Sequence, residues 1–61
     1  MFSITFYVDK TYHSTTECPY IPRVGDLIKW RELTLKVVGV EDSFNEEFEY
    51  DSSDVFLETV K

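Results

Sequence analysis

A chain of 61 residues has room for one domain, residues 1–61, and leaves it a small hydrophobic core. Its composition, 43% hydrophobic and 16% aromatic, is too apolar for a disordered chain, and a single cysteine excludes an internal disulfide. The net charge of −6 disfavours direct binding to nucleic acid, because Lys and Arg supply the sequence-independent part of that affinity.

The first predicted element is a β-strand over residues 2–8, FSITFYV. Large apolar side chains alternate along it with Ser, Thr and Tyr, which is the period of a strand with one buried face. The expected buried face consists of Phe2, Ile4, Phe6 and Val8.

Residues 9–23 have no sustained period and contain Pro19 and Pro22, so they predict a long connection, with a turn of helix within 9–20 as the alternative. His13 and Cys18 lie five residues apart here and raise the question of a nucleophile pair. A small sheet offers no enclosed site for an oxyanion hole and an orienting third group. We therefore expect no enzyme, no catalytic residue, no metal and no cofactor.

The segments DLIKW and LTLKVVGV predict a β-hairpin with Arg-Glu as its two-residue turn. That turn pairs Trp30 with Leu33 and Ile28 with Leu35 on one face. Gly39 interrupts the apolar run of the second strand, which indicates a bulge or bend.

The last predicted element is a hairpin formed by FEY and VFLETV, with DSSD between them. A turn at 52–53 pairs Tyr50 with Val55 and Phe48 with Leu57 on the buried face. The acidic residues that alternate with these apolar ones then lie on the solvated face.

Acidic residues are concentrated in this last third of the chain. Residues 41–60 contain eight carboxylates and no base, whereas the first forty residues contain four acids and five bases. A dense negative surface on rigid strands steers a basic partner, and aromatic side chains beside it provide anchors. The predicted partner-binding residues are Phe44, Glu46, Glu47, Glu49, Tyr50, Asp51, Asp54 and Glu58.

The segment IPRVGDLIKW resembles the start of the first long hairpin in small SH3-like barrels. The residues that carry the resemblance are Pro22, Val24, Gly25, Asp26 and Ile28. Together with the strand periods above, it implies an all-β fold of about five strands, a small SH3-like barrel or a strongly curved antiparallel sheet. The KOW-type members of that class continue with a second glycine-centred turn and basic residues for RNA. This chain has Arg-Glu at that turn and acids downstream, so their RNA binding is not expected.

A very small acidic domain is also similar in composition to phage-encoded anti-defence proteins, including anti-CRISPR inhibitors. That similarity implies a non-enzymatic inhibitor, a DNA mimic whose acidic hairpin blocks a basic nucleic-acid-binding surface of a host defence protein. The sequence contains neither a membrane-length apolar segment nor a secretory signal, so we expect the host cytoplasm as its location. We also expect a homodimer, because a small core and free sheet edges favour self-association.

Two other functions are consistent with the sequence. Aromatic and basic residues within 1–40 are suited to binding a nucleotide or a single strand by stacking and charge pairing. The relevant residues are Tyr7, Tyr12, Tyr20, Arg23, Lys29, Trp30 and Arg31. A structural module of a larger assembly is the other alternative, in which the acids serve solubility alone.

Overall fold

A computed structural model describes residues 1–60 as one five-stranded β-sheet that curls strongly into a half-barrel. The strands are β1 (Phe2–Val8), β2 (Thr11–Cys18), β3 (Leu27–Trp30), β4 (Leu33–Phe44) and β5 (Tyr50–Thr59). The predicted all-β fold with a strongly curved sheet is thereby confirmed. No helix long and apolar enough to span a membrane occurs within residues 1–60.

The strands are arranged in the order β2-β1-β5-β4-β3. Three of the neighbouring pairs are antiparallel, and the central pair β1–β5 is parallel, so the sheet is mixed rather than purely antiparallel. Strands β2 and β3 form the two free edges of the sheet.

The core lies on the inner face of the curl. It consists of five almost fully buried side chains, Ile4, Leu35, Val37, Val55 and Leu57. Phe2, Phe6 and Val8 pack against them, which confirms the predicted buried face of β1. On the outer face of the sheet, the strands carry polar and aromatic side chains that are partly or fully exposed.

The prediction of a long connection over residues 9–23 is wrong for its larger part, because residues 11–18 form β2. Asp9 and Lys10 make a two-residue turn with φ angles of 48° and 70°, the left-handed values that suit the twist of a tight hairpin. The strand escaped detection because it lies at the sheet edge and buries neither face completely, so no apolar alternation marks it. Its Thr content is the strand signal that was present.

The central hairpin has the predicted register. Trp30 pairs with Leu33 and Ile28 with Leu35, and Arg31 adopts a φ of 56° in the two-residue turn. The register of β4 against β5 shifts between Val37 and Gly39, which confirms an irregularity at the glycine.

The predicted turn at 52–53 is wrong. Strand β5 runs straight through these two serines, and the turn lies instead between Phe44 and Tyr50, which pair with each other. Phe48, expected in the core opposite Leu57, is 84% exposed in that turn. The prediction failed because Ser53 is buried on the inner face of the sheet, whereas serine is usually exposed and is common in turns.

Candidate protein-binding surface

The hairpin of β4 and β5 extends beyond the rest of the sheet. β1 begins to pair with β5 only at Ser53, so residues 43–52 form a two-stranded ribbon with which no third strand is paired. The molecule is accordingly elongated, with extents of 41 × 19 × 19 Å. We call residues 44–51, at the end of this ribbon, the acidic tip.

Asn45 organises the turn of the acidic tip. Its side-chain Oδ1 accepts hydrogen bonds from the backbone N–H groups of Glu47 and Glu49, each at 2.9 Å. The backbone N–H of Asn45 donates to the backbone carbonyl oxygen of Glu49, also at 2.9 Å. Asn is favoured in turns because its side chain makes such bonds to the backbone. Sequence reasoning overlooked this residue as a turn signal.

Two phenylalanine side chains are exposed on the acidic tip. Phe48 is 84% exposed and Phe44 51% exposed, with ring centroids 5.6 Å apart. Phe48 also adopts a φ of 65°, which an aromatic residue rarely does. The turn thus holds an apolar ring in solvent, where it contributes nothing to the core.

Six of the eight predicted partner-binding residues lie within the acidic tip, and five of these six have exposed side chains. The five are Phe44, Glu46, Glu47, Glu49 and Asp51. Asp51 lies at an irregularity in the pairing, since Ser43 faces Ser52 and Phe44 faces Tyr50. The tip carries four carboxylates and no basic side chain within a few residues of two aromatic rings.

The other three predicted residues are placed differently. Tyr50 is half-buried, and its hydroxyl lies 2.9 Å from Ser53 Oγ and 3.3 Å from the carbonyl oxygen of Ser3. Its ring packs edge-on against Phe2, which makes Tyr50 a bridge between the ribbon and β1. Asp54 and Glu58 lie on the outer face of β5, away from the tip.

The outer face contains a pair of like charges. Glu41 on β4 lies directly opposite Asp54 on β5, an arrangement that destabilises a sheet. Glu58, by contrast, faces Lys36. Glu41 and Asp54 thus add negative charge to the outer face beyond the acidic tip, whereas Glu58 has a base as its cross-strand neighbour.

The aromatic residues of the first forty positions do not form one platform. Tyr7 stacks on Phe56 at a centroid distance of 5.1 Å and contacts Tyr12, all on the outer face. Trp30 lies elsewhere, against His13 at 4.7 Å, with the Arg31 guanidinium 4.8 Å from its ring centroid.

His13 and Cys18 both lie on β2, where Cys18 is half-buried against the core. His13 contacts Trp30 instead, and its Nδ1 is 2.9 Å from Ser14 Oγ. Within residues 1–60, no three His, Cys, Asp or Glu side chains are grouped in a metal-binding arrangement.

Comparisons with protein-family models, with curated protein sequences and with solved structures found no match to this chain. Its function is therefore inferred from the geometry described above.

Proposed function

We propose that this protein is a non-enzymatic binding protein whose acidic tip docks on a basic, nucleic-acid-binding surface of another protein and blocks it. The observation that carries the proposal is the exposure of Phe44 and Phe48 among Glu46, Glu47 and Asp51 at the end of a projecting ribbon. Carboxylates alone are consistent with solubility. Two exposed rings among them match the composition of a protein interface, where aromatic residues are enriched.

Negative charge and exposed aromatic rings have different roles in the proposed binding. The negative field of the ribbon steers a basic partner and sets the association rate, whereas the burial of the phenylalanine rings provides affinity at short range. A groove that accepts the negatively charged backbone of a nucleic acid has the charge to attract an acidic ribbon. This function corresponds to that of a small anti-defence inhibitor acting in a host cell.

The decisive experiment compares two triple variants with the same net charge. The tip variant carries Glu46→Lys, Glu47→Lys and Asp51→Lys, which leaves the Asn45–Glu49 contacts of the turn in place. The control variant carries Glu17→Lys, Glu32→Lys and Glu58→Lys, all exposed and all outside the tip. Circular dichroism first establishes that both variants are folded.

Tagged protein is then used to capture partners from a lysate of the natural host, and captured proteins are challenged with duplex DNA and with RNA. We expect the native protein and the control variant to retain a nucleic-acid-binding protein that nucleic acid displaces, and the tip variant to lose it. Release at 1 M salt is also expected, since the Debye length falls to about 3 Å there. Equal capture by both triple variants would refute the proposal.

A Phe48→Ser variant separates the aromatic contribution from charge. Phe48 is outside the core, so the fold should persist, while affinity for the captured partner falls by about 1–2 kcal/mol, read from titration of the purified pair. Unchanged affinity would show that the Phe48 ring does not contribute to binding and would leave charge as the source of affinity at the acidic tip.

A further inference from the structure

The inner face of the half-barrel contains a cavity that the proposed function does not use. It has a volume of about 350 Å³ and lies between the strands at the two edges of the sheet. Its apolar lining residues are Phe6, Val8, Ile28, Trp30, Leu35 and Leu57. They lie toward the C-terminal ends of β1 and β5, whereas the acidic tip adjoins the N-terminal end of β5.

The cavity exists because the sheet curls without closing. Edge strands β2 and β3 both contribute to its walls, and His13 of β2 reaches Trp30 of β3 at a ring distance of 4.7 Å. This edge-to-face contact joins the two edges at one point. Elsewhere the cavity is partly open to solvent.

The chemistry of the walls selects a neutral ligand. Among residues 1–60, no Asp, Glu, Lys or Arg lines the cavity, so a permanently ionised group buried inside would have no oppositely charged Asp, Glu, Lys or Arg beside it. Most of the polar lining side chains come from one wall, where β2 supplies His13, Ser14 and Thr16. These side chains can hydrogen-bond to one hydroxyl or carbonyl group of a ligand that is otherwise apolar.

The aromatic lining favours a planar molecule. Phe6 and Trp30 present ring surfaces, and aromatic pairs gain about 0.5–1.5 kcal/mol beyond the burial of their area. The volume lies near the lower end of the range for ligand sites, roughly 300–1,000 Å³, which suits one or two rings. We propose that this cavity is a binding site for a small, uncharged aromatic molecule.

Two fluorescent probes with the same ring system test the proposal. N-phenyl-1-naphthylamine is neutral, and 1-anilinonaphthalene-8-sulfonate adds one negative charge to that framework. Trp30 is the only tryptophan of the chain and lies on the cavity wall, so a bound naphthylamine quenches its emission by energy transfer. We expect saturable binding of the neutral probe, at least about ten-fold tighter than the sulfonate. Equal or tighter binding of the sulfonate would overturn the proposal.

A matched pair of variants locates the probe. Ser14→Phe fills the cavity from β2, and Thr15→Phe introduces the same side chain at the next position, where Thr15 bonds to Thr5 on the outer face. We expect Ser14→Phe to lose at least about ten-fold in affinity for the neutral probe and Thr15→Phe to bind like the native protein. Equal binding by both variants would place the probe elsewhere and overturn the proposal.

A measurement on the native protein holds even if Ser14→Phe does not fold. With toluene added, nuclear Overhauser effects are expected between its ring protons and the methyl groups of Val8, Leu35 and Leu57. Effects confined to the exposed Val24 and Val38 would contradict the site. A dimer that excludes both probes would also overturn it and assign the cavity to a second copy of the chain.

Discussion

Ser53 is the buried polar side chain of this core, and its hydrogen bonds link two parts of the molecule. Its hydroxyl donates to Asp42 Oδ1 at 2.6 Å and lies 2.9 Å from the Tyr50 hydroxyl oxygen. Tyr50 in turn reaches the carbonyl oxygen of Ser3. Through Tyr50, these contacts attach the base of the ribbon to β1.

The first prediction is that Ser53→Ala lowers the free energy of unfolding by about 1–2 kcal/mol, because a buried hydrogen bond to a carboxylate is lost and the Tyr50 hydroxyl loses a partner. The matched control is Ser52→Ala, since Ser52 faces Ser43 on the outer side of the ribbon. Urea denaturation of both variants measures the difference. Equal stability of the two variants would contradict the role assigned to Ser53.

The side chain of Asn45 holds the backbone of the acidic tip in its turn. The hydrogen bonds of Asn45 to Glu47 and Glu49 satisfy backbone donors that solvent would otherwise have to satisfy, and they place Phe48 in its exposed position. At the scale of the element, Asn45 therefore positions the recognition residues without contacting the partner in the proposed complex.

We predict that Asn45→Ala destabilises the protein by about 1 kcal/mol and speeds hydrogen exchange at the Glu47 and Glu49 amides, because their acceptor is removed. Asn45→Asp keeps an oxygen in the same place and should restore slow exchange. Exchange measured by NMR on the three proteins tests this. If Asn45→Asp behaves like Asn45→Ala, the side-chain oxygen does not organise the turn.

The two edges of the sheet differ in how they are protected. β3 has only four residues and carries Lys29, whereas β2 has eight and contains Glu17 as its only charged side chain. Short strands and lysines discourage pairing between molecules, and long edges with few charges permit it. At the scale of the whole molecule, β2 is therefore the surface through which two copies are expected to associate.

Our prediction is a homodimer with antiparallel β2 strands, observed by sedimentation equilibrium as twice the chain mass of 7.2 kDa. Thr15 lies near the middle of β2, so two Thr15→Lys chains would place like charges close together and should remain monomeric. Ser43→Lys makes the same charge change on β4 and should still dimerise. A native monomer at micromolar concentration would contradict this prediction.

The sequence by itself determined the elements whose apolar period reflects burial on one face. Strand β1 and the β3–β4 hairpin follow from Phe2 to Val8 and from the pairing of Ile28 with Leu35, as does the irregularity at Gly39. The concentration of carboxylates after residue 40 was equally visible. All of these are local patterns, and local patterns are what a single sequence records.

Tertiary structure decided the rest. Strand β2 has no apolar period because it is an edge, and the buried Ser53 hydroxyl has its hydrogen-bond partners in Asp42 of β4 and in Tyr50 of its own strand. The turn accordingly lies at Asn45, and Phe48 is exposed in it. The parallel pairing of β1 with β5 likewise joins distant segments, and only this arrangement creates the cavity between the sheet edges. Such features depend on which segments meet, and that choice is made by the packing of the whole sheet.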